Sequence, residues 1–201
     1  SGPHVVVAEG EVETSDAAGV VKGLAAWVPD AVFLRQTKAT HPSKAMRQLG
    51  QQVKAAGSAL QQAHALMNEL HSRVVYEVGS SHAHTTAEEA FAEKRGVCQD
   101  HAHIMVGVAR DIGIAARYVT GYLVTGVGAA SDAAHAWAEL LIPDLGWVGF
   151  DPANGQSPTE QYVRLAAGHD AAAVTPLRGL RRGGGGNEEL TVAVKVEIAQ
   201  Q

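Results

Sequence analysis

Apolar residues in the first half of the chain recur with helical spacing. Residues 43–77 repeat about every 3.6 positions, which predicts helical structure with one face in a core. The stripe is clearest at Ala59, Leu60, Ala63, Leu66, Met67, Leu70 and Val74. Gly50 and Gly57 are expected to interrupt this stretch, and Ser43 is a candidate N-cap for a helix that begins near Lys44.

A second helical stripe lies near the middle of the chain, at Ile104, Met105, Val108 and Ile112. Gly113 follows it and is expected to end the helix. Between the two helical regions, Thr86 and Glu89 have the spacing of a capping box, which predicts a short helix that ends before Gly96. The middle of the chain is therefore expected to be helical on both sides of Gly96.

The second half changes to short apolar runs typical of strands. Residues 114–124, 135–142 and 147–151 are such runs, and a tight turn at 143–146 joins the last two. Residues 190–198 alternate strictly and predict a closing strand. Helices followed by antiparallel strands indicate an α+β fold.

Composition and charge exclude several classes of function. The chain has 201 residues, 46% of them apolar, and a net charge of −5 without a basic run, which disfavours disorder and nucleic-acid binding. No apolar run approaches the ~18 residues of a membrane span. A single cysteine cannot form an internal disulfide, so we expect a reducing, cytoplasmic location. Ser1-Gly2 resembles the remnant of a tag, so the chain's natural start stays open, as does its oligomeric state.

Cys98, the only cysteine, stands where a turn meets the central helix. It follows Gly96-Val97, and the unpaired N–H groups and dipole of a helix start favour a thiolate. A lone cysteine is commonly a small core residue, so a catalytic role needs further support. That support comes from His135 and Asp151, because two antiparallel strands joined by a tight turn place the start of the first beside the end of the second. Cysteine, base and orienting acid form the set required for a thiol nucleophile.

Four blocks of sequence resemble the transglutaminase-like superfamily, in its bacterial branch of cysteine-protease-type proteins. They are Gly-Val-Cys-Gln-Asp-His-Ala at 96–102, Ala-Arg-Tyr-Val-Thr-Gly-Tyr-Leu at 116–123, His-Ala-Trp-Ala-Glu at 135–139 and Gly-Trp-Val-Gly-Phe-Asp-Pro-Ala-Asn at 146–154. The resemblance implies a papain/transglutaminase-like core, with a nucleophile helix packed on an antiparallel sheet. It also implies that Cys98 is the nucleophile, His135 the general base and Asp151 its orienter.

The resemblance also suggests how the chain is divided. Residues 4–14 are predicted to form one strand of a β-rich segment, residues 1–30, and such a segment precedes the catalytic core in the bacterial branch. The catalytic domain is then expected to cover residues 31–201.

The expected reaction is acyl transfer through a thioester on Cys98, most simply hydrolysis of a peptide or isopeptide bond, because water needs no second binding site. The backbone N–H of Cys98 is the candidate oxyanion donor. The substrate is expected to be a peptide or protein amide. Three alternatives stay open: transamidation of the glutamine–lysine type, a different Cys-His-Asp acyltransferase such as one that uses acyl-coenzyme A, and a non-catalytic peptide-binding module.

Ten histidines raise the question of a metal. His82 and His84, like His101 and His103, have a spacing seen in metal sites, but on one helix the second pair points about 200° apart. No stretch resembles a calcium loop. We therefore expect neither metal nor cofactor. Asp100 and His101 are expected either to reach the cleft or to cap the helix start, and the sequence does not separate these roles.

Overall fold

The computed structural model describes residues 5–23, 28–124 and 134–175, together with residue 194. Within these residues the chain forms four α-helices, two short 3-10 helices and six strands. The helices are α1 (Lys44–Lys54), α2 (Ala59–Arg73), α3 (Ala87–Glu93) and α4 (Cys98–Asp111), with 3-10 turns at Asp30–Leu34 and Ala171–Val174. The strands are β1 (Val75–Tyr76), β2 (Arg95–Gly96), β3 (Ala116–Leu123), β4 (Ala134–Ile142), β5 (Gly146–Phe150) and β6 (Tyr162–Gly168).

Side-chain caps set the starts of the first three helices. The hydroxyl of Ser43 accepts from the Met46 N–H at the start of α1. Reciprocal capping boxes open α2 and α3, the latter formed by Thr86 and Glu89 as predicted. Caps of this kind satisfy N–H groups that have no partner within the helix.

The end of α4 is a Schellman motif. Gly113 has a φ of +93°, its N–H donates to the Arg110 carbonyl, and the Ile114 N–H donates to the Ala109 carbonyl. Only a residue without a Cβ adopts this left-handed conformation at little cost, so Gly113 ends the helix as predicted.

The main sheet is antiparallel throughout, with strand order β5-β4-β3-β6. Helix α4 packs against one face of β3 and β4 and is almost wholly buried from Asp100 to Arg110. A central helix packed on an antiparallel sheet is the predicted α+β architecture, which is confirmed. Because α4 is covered on nearly all sides, it positions its first residue with little freedom.

Close packing explains one departure from the predicted helices. Gly50 lies within α1 and does not interrupt it, whereas Gly57 lies outside both helices. A Cβ at Gly50 would come within 2.8 Å of the Ile112 side chain, so this glycine allows α1 to approach α4. Helical propensity alone disfavours glycine here, and tertiary packing outweighs that preference.

The predicted strand at residues 4–14 is wrong for the part that the structure describes. Residues 5–14 form no strand, and Val5, Val6 and Val7 are exposed. The first main-chain pairing comes later, where Val20 bridges Val148 on the edge strand β5. A stretch rich in β-branched residues does not form a strand when no partner edge is present. The predicted closing strand at 190–198 lies outside the described residues, apart from residue 194.

A short parallel pair, β1 with β2, was not predicted. It aligns Val75 with Arg95 and Tyr76 with Gly96, and so fixes the chain directly before α4. Among the described helices, none is both long enough and apolar enough to cross a membrane.

Candidate active site

The first turn of α4 presents Cys98 from a partly buried position. Val97 before it is extended, with φ −103° and ψ −177°, which turns the chain into the helix. The first N–H groups of a helix have no acceptor within the helix. The Cys98 N–H is one of these groups, so the structure provides a backbone donor beside the sulfur.

Asp100 caps this helix start. Its buried carboxylate accepts from the Val97 N–H at 2.8 Å and from the Ser81 hydroxyl. His101 is also buried, and its two ring nitrogens contact the carbonyl oxygens of Val97 and Val74 at 2.9 and 3.0 Å. Of the two roles that the sequence left open, the structure gives Asp100 the capping role, while His101 ties the nucleophile helix to the end of α2.

His135 and Asp151 meet across the β4–β5 hairpin. His135 is the second residue of β4 and Asp151 directly follows β5, and their side chains approach to 2.7 Å between Nε2 and Oδ2. The antiparallel register, which pairs Ala138 with Phe150, brings them together as the hairpin predicted.

The Asp151 side chain is fully buried, and both of its carboxylate oxygens accept hydrogen bonds from neighbouring groups. Its Oδ1 accepts from the N–H groups of Ala153 and Asn154, and its Oδ2 accepts from three side chains: His135, Asn154 and Tyr162. Burial opposes ionisation of this carboxyl, but the hydrogen bonds and positive charge of His135 and the bonds from Asn154 and Tyr162 outweigh it and lower its pKa. Asp151 therefore remains an anion although its side chain is fully buried.

His135 carries the opposite shift. Burial disfavours its charged form, but hydrogen bonds with Asp151 and Cys98 and the negative charges of both outweigh burial and raise its pKa to about 9. Because Nε2 faces Asp151, Nδ1 is the nitrogen left for Cys98. Near neutral pH the imidazole is thus positively charged between two acidic groups, the arrangement that can hold and return a proton for the sulfur.

Sequence reasoning missed the groups that surround Asp151. Tyr162, in β6, donates from its hydroxyl to Asp151 at 2.8 Å and accepts from the Gln156 side-chain amide at 3.0 Å. Its ring lies edge-on to His135, with centroids 5.8 Å apart. Asn154 was visible within the Asp-Pro-Ala-Asn block, but Tyr162 had no local signal because only the pairing of β3 with β6 brings it to the site.

Helix α2 supports the loop that carries Asp151. Nδ1 of His71 lies 3.2 Å from the Pro152 carbonyl oxygen. Gly155, with φ +65°, packs against the same imidazole, where a Cβ would come within 3.0 Å of the ring. The loop is therefore held from the helical layer as well as from the sheet.

The other histidines that the sequence singled out lie in the loop before α3 and on helix α4. His82 and His84 are exposed in the loop before α3, with ring centroids 6.5 Å apart. His103 is buried on α4, where its Nε2 accepts from the Ala171 N–H and burial lowers its pKa to about 4. His101 and His103 thus contact different elements, Val74 and Ala171. Within the described residues no three histidine, cysteine or carboxylate side chains are grouped as a metal site.

Comparisons with known proteins give a consistent family. The profile of the transglutaminase-like superfamily matches residues 47–152, just over half of the chain. An uncharacterized protein of Mycobacterium tuberculosis is 34% identical over 141 residues, and one of Mycobacterium leprae is 37% identical over 131. These matches cover 65% and 62% of this chain but only 45% and 46% of the relatives, so the chain spans less than half of their length. A protein-glutamine gamma-glutamyltransferase of Pseudomonas aeruginosa is 33% identical over 102 residues, 44% of this chain and 15% of the relative.

Solved structures agree on the fold. A candidate cysteine protease from Cytophaga hutchinsonii is similar over 81% of this chain and 55% of its own, with a TM-score of 0.64 and 25% identity. The periplasmic domain of TgpA from Pseudomonas aeruginosa matches 63% of this chain and 47% of its own, with a TM-score of 0.52 and 24% identity. The predicted resemblance to this superfamily is confirmed.

Proposed function

The chain belongs to the transglutaminase-like superfamily, and from that premise we propose that it catalyses cysteine-dependent acyl transfer from an amide. The observation that carries this proposal is the position of His135, whose Nε2 lies 2.7 Å from Oδ2 of Asp151 and whose pKa is raised by both Asp151 and Cys98. Cys98 is the nucleophile of the proposed reaction, His135 its acid and base, and Asp151 the group that orients His135.

The first half of the proposed reaction breaks the amide. The Cys98 sulfur attacks the carbonyl carbon, and the oxyanion that forms is bound by the Cys98 N–H at the first turn of α4. The imidazolium of His135 then protonates the leaving nitrogen as the C–N bond breaks. An amine leaves, and a thioester remains on Cys98.

The second half releases the acyl group. The now neutral His135 removes a proton from water, the hydroxide oxygen forms a bond to the carbonyl carbon, and the C–S bond breaks to give a carboxylic acid and the Cys98 thiolate. Asp151 stays ionised throughout and stabilises the imidazolium that forms again. We propose hydrolysis of a peptide or isopeptide bond as the main reaction, because it requires only the acyl-binding side of the cleft.

Transamidation is the second candidate, and the similarity to a protein-glutamine gamma-glutamyltransferase supports it. The same thioester would be attacked by a primary amine, such as a lysine side chain, with His135 removing the amine proton. The two reactions differ in the acceptor alone, so a product analysis with and without added amine separates them.

The pH dependence of Cys98 alkylation by iodoacetamide, followed by intact mass, tests the proposal. We expect a rate that stays high down to about pH 5–6, as for a cysteine paired with an imidazolium. Cys98→Ala should take up no label, which shows that the mass shift reports this residue. His135→Ala should react only near about pH 8–9, the range of a free thiol.

A wild-type profile that rises only at about pH 8–9 would contradict the proposal and favour the non-catalytic peptide-binding module. A stable acyl group on Cys98 formed from acyl-coenzyme A would instead favour the other Cys-His-Asp acyltransferases.

The cellular compartment of the protein is proposed to be the cytoplasm. A single cysteine favours the cytoplasm, whereas the similar TgpA domain is described as periplasmic. Fractionation of cells that express the full-length protein, with detection of this domain, separates the two compartments.

A further inference from the structure

The edge of β1 that faces away from β2 has free main-chain groups. The N–H groups of Val75 and Glu77 donate to the carbonyls of Lys94 and Gly96, both at 2.9 Å. Alternate residues of a strand direct their main-chain groups to opposite sides, so Tyr76 directs its N–H and C=O away from β2. Within the part of the chain that the structure describes, neither group of Tyr76 has a hydrogen-bond partner.

This edge runs beside the candidate active site. Tyr76 is aligned with Gly96, only two residues before Cys98, and its ring centroid lies 6.3 Å from that of His101 in the first turns of α4. Partial burial raises the pKa of the Tyr76 hydroxyl, and the negative charges of Cys98 and Asp151 raise it further. The Tyr76 side chain therefore lies within electrostatic reach of both groups.

The same stretch exposes three apolar side chains. Val75 is 64% exposed, Tyr76 51% and Val78 81%. Exposed apolar residues are ordinary when scattered, but a run of them beside a reactive centre is typical of a binding surface. Beside these apolar side chains, the main chain of Tyr76 offers one N–H donor and one C=O acceptor, which an extended peptide can pair with.

We propose that the free edge of β1 binds the acyl side of a polypeptide substrate as an added strand, and that an apolar substrate residue packs on Tyr76 and Val78. The proposal rests on the proposed function and names its substrate class: an extended polypeptide with an apolar residue before the reactive carbonyl. We take the occupant to be a substrate segment and not a second copy of this chain, because Tyr76 pairs with Gly96, two residues before Cys98 in the chain, and only a substrate must reach the sulfur.

Peptidyl electrophiles that alkylate Cys98 test this proposal on the whole chain. The probes are the chloromethyl ketones of acetyl-Leu-Gly, acetyl-Glu-Gly and the N-methyl-leucine form of the first, each compared with iodoacetamide. We expect the leucine probe to react at least about tenfold faster than the glutamate probe, and the N-methyl form to lose about three- to tenfold, the value of one hydrogen bond.

Two variants and a control complete the design. Tyr76→Ala and Val78→Asp should each reduce the leucine preference by about threefold or more, when each probe rate is divided by the iodoacetamide rate of the same variant. Val78 is exposed, so Val78→Asp is expected to fold even if Tyr76→Ala does not. Leu145→Ala is the matched control, because Leu145 is 44% exposed in the turn at the other end of the β4–β5 hairpin.

Three outcomes would overturn the proposal. Equal rates for the leucine and glutamate probes would contradict the proposed apolar contact with Tyr76 and Val78. An N-methyl probe that reacts as fast as the leucine probe would contradict the proposed strand pairing. A preference lost equally in Leu145→Ala would show a general effect on the fold. If the iodoacetamide profile keeps its acidic reactivity in these cases, the proposed function stands and only the β1 site fails; if that profile is lost, both fail.

Discussion

Asp151 and Glu139 are both buried carboxylates of the main sheet, but their surroundings differ in kind. Glu139, in the middle of β4, is held by two arginines: Arg164 Nε lies 2.7 Å from Oε1, and Arg117 Nε contacts Oε2. Among the described residues, Asp151 has one cationic partner, His135, together with neutral donors from Asn154 and Tyr162.

The difference decides what each carboxylate can do. Arginine is always charged, and Arg117 is further fixed over the Trp147 ring, with its guanidinium carbon 4.1 Å from the centroid. That cluster can stabilise the outer face of the sheet, but it has no proton to exchange. His135 gains and loses a proton in the accessible pH range, so the Asp151 cluster can serve acid–base chemistry. Both buried carboxylates need charged or hydrogen-bonding partners. Arginine partners make the Glu139 cluster structural, whereas a histidine partner makes the Asp151 cluster a candidate active site.

Asp151→Asn should produce the largest effect on activity. The asparagine amide oxygen can still accept a hydrogen bond, but it carries no negative charge and the amide nitrogen cannot accept at all, so His135 loses its charge partner and its orientation is weakened. We expect kcat to fall by about 10³- to 10⁴-fold, with Cys98 alkylation weakened but still measurable. Steady-state kinetics on a peptide amide and alkylation rates check this. Circular dichroism should show an intact fold, and an unfolded variant would mean that Asp151 is mainly structural.

Glu139→Gln should lower the stability of the protein and leave the reactivity of Cys98 almost unchanged. It leaves two guanidinium groups on the sheet without their anion, which costs about 3 kcal/mol or more in the free energy of unfolding. Alkylation of Cys98 near pH 6 should change by less than about threefold, because the hydrogen bonds of the candidate active site do not involve Glu139. Urea unfolding and alkylation measured on the same preparation test both parts. A large loss of alkylation with unchanged stability would show that the two clusters are coupled.

Tyr162→Phe should have a smaller effect, specific to the Asp151 cluster. It removes one hydroxyl donor from the carboxylate and keeps the ring against His135 and Trp137. We expect kcat to fall by about tenfold, the range of one hydrogen bond to a charged group, with KM unchanged. Gln156→Ala is the matched control, since it keeps the Tyr162 hydroxyl but removes the amide that donates to it. An equal rise in KM and no change in kcat would assign Tyr162 to substrate binding instead.

The smallest expected effect is the loss of activity at alkaline pH, as the His135 imidazolium loses its proton. The pKa of His135 is raised to about 9, so the imidazolium and the stability that its bonds add are fully present below about pH 6.5 and are lost as the pH rises through about 9. Activity should therefore fall to about half near pH 9. His103, whose pKa is lowered to about 4, should stay neutral over the same range. Titration of the histidine ring signals by NMR distinguishes the two, and a His135 midpoint near the ordinary value would contradict the assignment.

Much of the fold followed from local patterns in the chain. The apolar stripe of α2, the capping box at Thr86 and Glu89 and the stop at Gly113 each depend on residues within a turn or two of one another, and all were predicted. The approach of His135 to Asp151 was also predictable, because a tight hairpin converts short sequence separation into contact.

The strand at residues 4–14 shows the limit of this reasoning. Its valines favour an extended chain, but a strand exists only when another edge pairs with it, and no local pattern supplies that edge. Gly50 shows the converse, since packing against Ile112 keeps a poor helix former inside α1.

The sequence by itself determined the helices, the hairpin and the three residues expected to carry the chemistry, because periodicity, capping and tight turns act over a few positions. Only the tertiary structure decided what surrounds them. Tyr162 reaches Asp151 through the pairing of β6 with β3, and Tyr76 reaches the site through the pairing of β1 with β2. Such pairings join residues far apart in the chain, and their free energy comes from the packed whole, so no short stretch of sequence records them.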